Sequence, residues 1–175
     1  MRVRGWSRLK NLFRSRRFWV TGALFLGTLA GLIWVSGSPG TMAVIQRGLA
    51  RITGALLNIL GHSASVNGHT VGTASFGISV VTACTGIFTL GLYLLAVIAY
   101  PCGWISKLLG VGLGVGGVFL LNLVRLISLY YVGIHVPQHF DVMHQLVWQS
   151  LMIAFVVLLW LFWAGRWTHA PCSKA

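Results

Sequence analysis

Thr82-Ala83-Cys84-Thr85-Gly86-Ile87 stands where a polar, glycine-bearing segment meets a long apolar run. Read as a junction, it starts a membrane helix on one side and closes a surface segment on the other. The cysteine then sits at the first turn of that helix, with Thr82 as its N-cap. The unpaired N–H groups and positive dipole end of such a turn favour a thiolate. Cys84 is therefore the first candidate for chemistry. Against it stands the commoner role of a lone cysteine, that of a small buried apolar residue.

The rest of the chain agrees with a membrane setting. Of 175 residues, 57% are hydrophobic and only 8% are charged, where a soluble domain carries about a quarter. The thirteen basic residues face one acid, Asp141, for a net charge of +12. Nucleic-acid binding does not account for this charge, because seven of the basic residues lie in the first seventeen, directly before an apolar span. That is the signature of a cytoplasmic flank, and one suited to anionic lipid. A single carboxylate excludes paired-carboxylate catalysis and carboxylate-rich metal sites. Three cysteines (Cys84, Cys102, Cys172) form no complete disulfide set and no metal-ligand spacing. No cofactor or metal is implied.

Upstream of the junction, residues 18–35 are eighteen uncharged residues, about enough to span a bilayer. They are read as an uncleaved first helix, ended by Ser36-Gly37-Ser38-Pro39-Gly40. Residues 41–61 carry Arg47 and Arg51 on one face and read as an amphipathic helix in the outer interface, a further span being the other reading. Val66-Asn67-Gly68-His69 is a hairpin signal, and Ile78, Val80 and Val81 suit a strand leading to Cys84. Downstream, helices are expected over Thr85–Tyr100, Leu108–Val132 and His144–Ala164. Pro101-Cys102-Gly103 and Trp104–Lys107 form the inner turn, and Gly133–Met143 an outer loop. The Gly110/Gly114 and Gly112/Gly116 pairs predict close helix packing, and Tyr130 and Tyr131 suit an outer aromatic belt.

Ten of the thirteen basic residues then fall inside and Arg47 and Arg51 outside, with Arg125 within a helix. The expected fold is an all-α multi-pass membrane protein. It has about four transmembrane helices, N-in and C-in, an outer interfacial helix and a small β-hairpin before the cysteine-bearing helix. Residues 1–17 are a basic cytoplasmic tail, 18–167 one membrane-embedded domain, and 168–175 a second cytoplasmic tail. Cys84, Arg125 and His144 all belong to the outer half, with Cys102 and Cys172 on the inner side.

Arg125 is costly inside an apolar helix, and such residues face a bundle interior and have a partner; the rival reading is snorkelling to the interface. Only Asp141 offers an outer carboxylate, so a substrate group, an oxyanion or the thiolate itself is the expected partner. Asn122, three residues earlier, shares its face. His144 opens the last helix and is placed to take a thiol proton. His135, His139 and His69 also lie outside and compete for that role; spacing does not choose among the four.

Ala83-Cys84-Thr85-Gly86-Ile87, then Asn122-x-x-Arg125, then His144 opening the final helix resembles the exosortase/archaeosortase family, and among it compact members such as the H type. The likeness covers about Gly77 to Ser150. The family's cysteine motif usually has serine where Thr85 stands, and its histidine is often followed by glutamate where Gln145 stands. The resemblance implies a membrane cysteine protease/transpeptidase with Cys84, Arg125 and His144 as catalytic residues and Asn122, Thr85 and Gly86 in support. Cys84 attacks a carbonyl in the C-terminal sorting signal of an exported protein, whose signal comprises a motif, a hydrophobic helix and a basic end. The thioacyl intermediate passes to an amine acceptor or to water. The implied location is a prokaryotic cytoplasmic membrane, with the site on its extracytoplasmic face. The alternative is a non-enzymatic assembly or transport subunit, with Arg125 binding an anionic ligand or a partner helix.

Overall fold

The computed structural model describes residues 16–73 and 76–167; both expected tails lie largely outside these. The protein is mostly helical and carries one small sheet. Helix α1 spans Arg16–Gly37 and α2 spans Pro39–Ile59, joined through Ser38 alone. Proline at the first position of α2 suits a helix start, because its missing N–H would have had no partner there. Three strands follow: β1 (Ser65–Asn67), β2 (Thr70–Gly72) and β3 (Gly77–Ser79), all antiparallel, in the order β1-β2-β3. A 3-10 turn, Thr82–Cys84, leads to α3 (Ile87–Ala99), then α4 (Trp104–His135) and α5 (Trp148–Trp167).

Trp19–Gly37, Trp104–His135 and Pro137–Trp167 are each long and apolar enough to cross a membrane; α3 is a shorter apolar helix. This is an all-α multi-pass membrane architecture. Large apolar side chains such as Leu26, Ile33, Leu108 and Leu158 are exposed. In water they would form a liability, whereas in lipid they face their own kind. In α2, Met42, Leu49, Ala50, Thr53 and Leu57 are buried, while Arg47 and Arg51 are exposed.

Two clusters hold the bundle. Tyr93, Val97, Val118, Met152, Val156 and Trp163 pack α3, α4 and α5 together. Here Gly110 lies under Trp163 and Gly114 under Tyr93, whereas Gly112 and Gly116 face open space. Only one of the two glycine pairs therefore serves packing. The polar ends of the two aromatics are satisfied: Tyr93 Oη donates to the Gly110 carbonyl (3.1 Å) and Trp163 Nε1 to the Ser106 carbonyl (2.8 Å). The second cluster joins α2, the sheet, the 3-10 turn and α4 through Leu49, Leu57, Val71, Ile78, Val80, Cys84, Leu126 and Tyr130.

Several expectations are corrected. The Asn67-Gly68 signal does give a hairpin, with Asn67 opposite Thr70 and Gly68 in the left-handed region, but a third strand joins it. That strand ends at Ser79, short of Val80 and Val81. Helix α4 runs 32 residues, absorbing both Trp104–Lys107 and the first residues of the expected outer loop. The rest of that loop is helical too: a 3-10 turn Pro137–His139, one α turn Phe140–Val142 and a π turn Met143–Val147 run straight into α5. Pro137 cannot continue α4 but can start the next helix, which explains a break of one residue, Val136. Tyr130 is fully buried and donates to Thr73 Oγ1 (3.1 Å), so it belongs to the core rather than to an aromatic belt.

Candidate active site

Cys84 precedes α3 instead of opening it. The helix N-cap is Gly86, and Thr82 caps nothing: its Oγ1 accepts from Gln46 Nε2 of α2 at 3.3 Å. The 3-10 turn is closed by main-chain bonds from Cys84 N to Val81 O and from Thr85 N to Thr82 O. Thr85 Oγ1 donates to the Thr82 carbonyl (2.7 Å) and accepts from Ile87 N–H (3.4 Å). A serine hydroxyl would do the same, so threonine at this position keeps the turn. Gly86 has φ +73°, a conformation costly for any residue with a Cβ, and its α-carbon faces Asn122 and Val118.

Helix α4 supplies two polar residues to the back of this turn. Asn122 is buried, and its Nδ2 donates to the Cys84 carbonyl at 2.8 Å. Arg125 is only 2% exposed, which rules out snorkelling. Its Nη1 donates to the Ala83 carbonyl (3.4 Å) and its Nη2 to the His144 carbonyl (3.3 Å). The guanidinium thus bridges the turn that carries the cysteine and the turn that carries the histidine. Its Nε and Asn122 Oδ1 are buried with no hydrogen-bond partner.

His144 sits in the π turn. Such turns widen the helix locally and recur at functional sites. Its ring is stacked 6.0 Å from Phe140, one turn earlier, and its Nε2 lies 3.1 Å from Cys84 Sγ. Of the six histidines it alone meets the thiol among the described residues. His62 bonds Tyr131 Oη (2.9 Å), His135 stacks on Tyr131, and His69 and His139 are exposed. Gln145 is exposed and adds nothing to the pair.

The electrostatics run against a preformed thiolate. Burial pushes the Cys84 thiol up from its ordinary value. The Arg125 charge and the main-chain bond at Val81 pull it down, but burial is the larger effect. The expectation of a helix-start thiolate fails because the residue is buried and lies ahead of the helix.

The thiol opens into a cleft of about 480 Å³ lined by Phe76, Gly77, Ile78, Ser79, Leu126, Leu129, Pro137, Phe140 and Asp141. Sequence reasoning named neither β3 nor Phe140 as part of a site. The spacing of Phe140 and His144, four apart on a helix, is the signal that identifies the aromatic; nothing in the sequence announces the π turn.

The family model described as transmembrane exosortase (exosortase EpsH) matches residues 3–164. The chain belongs to the transmembrane exosortase family. No curated protein and no solved structure matches it. Membership makes this a multi-pass prokaryotic membrane protein, of a family that acts on exported proteins carrying sorting signals. The matched region takes in α1 and α2 as well as the Cys84–Arg125–His144 cluster, so the likeness extends well beyond the motif stretch.

Proposed function

We propose that the protein is a cysteine transpeptidase or peptidase that cuts the C-terminal sorting signal of exported proteins, with Cys84 as nucleophile. The observation that carries this reading is the 3.1 Å contact between Cys84 Sγ and His144 Nε2 at a cleft mouth. A thiol beside an imidazole nitrogen is a nucleophile beside its base.

Because burial keeps the resting thiol neutral, proton transfer accompanies attack. Neutral His144 takes the Sγ proton as sulfur bonds to the substrate carbonyl carbon. The imidazolium then gives that proton to the leaving amine as the C–N bond breaks, which leaves a thioester on Cys84. An acceptor amine or water, deprotonated by His144, attacks the thioester and the thiol is regenerated. Arg125 holds the two turns in register and places a positive charge behind the sulfur as it becomes anionic. Two of its five N–H groups are committed to carbonyls, so its charge and its remaining N–H groups, the unpartnered Nε–H among them, are what it offers to the reaction. Asn122 and Thr85 fix the main chain on either side of the thiol, and Gly86 allows the turn into α3. The substrate's hydrophobic helix packs in the bilayer beside the bundle with its basic end inside, and confinement to one membrane lowers the entropy lost on meeting. The site faces the extracytoplasmic side of the cytoplasmic membrane, with both termini inside.

The test is made in the native host. The gene is deleted and complemented with wild type, Cys84→Ser or Cys102→Ser, and the C-termini of exported proteins are read by mass spectrometry. Hydrophobic tails are expected to persist with Cys84→Ser alone. If no C-terminus depends on Cys84, the enzyme reading fails and Arg125 becomes a solute or partner-helix site.

A further inference from the structure

The sheet has one edge inside the cleft. Strand β3 pairs with β2 on one side only, and among the described residues no strand lies on the other. The register places Gly77 opposite Gly72, Ile78 opposite Val71 and Ser79 opposite Thr70. The bonds from Val80 N to His69 O and from Thr73 N to Phe76 O mark Val80 and Phe76 as residues whose main chain faces β2. In an antiparallel ladder these roles alternate. The N–H and C=O groups of Gly77 and Ser79 therefore point away from β2, to the open edge. Both residues line the cleft that holds Cys84 and His144. An exposed row of main-chain donors and acceptors is a template for another strand, and here it leads directly to a thiol.

We propose that β3 is the substrate-binding edge: the peptide segment to be cut adds to the sheet as a fourth strand and so brings its scissile bond to Cys84. The proposal rests on the nucleophile reading above and specifies how that site recognises its substrate. Its occupant is an extended, mainly apolar peptide. Gly77 and Ser79 offer it two N–H and two C=O groups, which bind any sequence. The cleft floor of Leu126, Leu129 and Phe140 receives alternate side chains, which is where sequence preference arises. Strand addition also straightens the chain at the reacting bond, since a carbonyl within a helix is hydrogen-bonded and screened from attack.

The test uses full-length protein in nanodiscs with Cys102 and Cys172 replaced by serine. The probe is acetyl-Val-Ala-Val-Ala chloromethyl ketone, which alkylates Cys84 with loss of chloride. Iodoacetamide, which has no strand to add, reports reactivity of the thiol itself. Ser79→Pro removes the outward N–H and keeps the main-chain bonds to β2, and proline is tolerated at such edge positions; it also loses the hydroxyl bond to Thr70 Oγ1 of β2 (2.9 Å), for which Ser79→Ala controls. We expect Ser79→Pro to slow the peptide probe about threefold to tenfold, the worth of one hydrogen bond. The iodoacetamide rate should not change, and Ser79→Ala should match wild type. N-methylating single amides of the probe should slow its reaction with unmutated protein at alternate positions only.

Equal slowing by Ser79→Pro and Ser79→Ala, or N-methyl effects without alternation, overturns strand addition and leaves the nucleophile reading standing. If Ser79→Pro also slows iodoacetamide, the N-methyl series on the unmutated residue decides. A Cys84 that reacts with neither reagent overturns both readings.

Discussion

Replacing Arg125 with methionine removes a charge while keeping most of the volume. Two consequences follow, and they are separable. The first is electrostatic. The guanidinium donates to the carbonyl of the residue just before Cys84, and a charge in that neighbourhood acts over roughly 5 Å. At an effective dielectric of about 20, that separation makes the thiolate about 3 kcal/mol less favourable once the charge is gone. Such a difference lowers the thiolate population about a hundredfold at any pH below the thiol's titration. The second consequence is mechanical, since the carbonyls of Ala83 and His144 lose their common donor. The assay is iodoacetamide alkylation of Cys84 against pH in nanodiscs, with the other two cysteines replaced by serine. Wild type should titrate above the ordinary thiol range, because burial raises the group. Arg125→Met should move the profile to still higher pH, and Arg125→Lys should restore most of that movement without restoring the two-turn bridge. A methionine variant whose profile overlays wild type refutes the electrostatic role and leaves Arg125 as a structural clamp.

Three further outcomes follow from the geometry. Gly86→Ala forces a Cβ into the left-handed region against Asn122; it should cost about 1–2 kcal/mol in denaturant unfolding and lower tail removal more than tenfold. Gly114→Ala drives its methyl into the Tyr93 ring, whereas Gly112→Ala meets nothing. The first should lower the melting temperature, and the second should leave it unchanged or raise it slightly through helix propensity. The raised Cys84 thiol also sets a pH dependence. A neutral thiol is favoured in the folded protein, so its contribution is complete below the unfolded thiol's pKa and is lost as pH rises through the folded value. Stability relative to Cys84→Ala should therefore fall on the alkaline side only.

Much of this architecture is legible without coordinates, because lipid imposes a simple rule on composition. A chain with one acid and four apolar runs has few places to go, and the runs appear as α1, α3, α4 and α5. Cys84, Arg125 and His144, separated by up to sixty positions, meet because each is chemically out of place in its surroundings. Their roles could be framed from residue type, but the partners of Arg125 could not. Main-chain carbonyls have no signature in a sequence, and the two that hold Arg125 belong to turns whose shapes, 3-10 and π, depend on tertiary packing. The same holds for Thr82, which has every local feature of an N-cap and is instead taken by Gln46. Helix ends depart most from local signals at Pro137, which has the look of a loop residue and begins a new helix at once. The glycine pairs show the limit of spacing as evidence: both read alike, and only the one facing Tyr93 and Trp163 is packed.

The brevity of α3 bears on how the substrate is met. Its thirteen residues rise about 20 Å, while the hydrocarbon layer is about 30 Å thick. The helix falls well short of α4, whose thirty-two residues rise about 48 Å. The 3-10 turn that precedes α3 and carries Cys84 is covered by α2, the sheet and α4. In the proposed reaction the substrate's hydrophobic helix lies beside this bundle, and the bond to be cut adds to β3 as extended chain. Where the top turns of that helix include the bond, cutting requires them to unravel first. A tail whose upper turns fray easily would be released quickly, and one stiffened near its top would be spared whatever its recognition sequence.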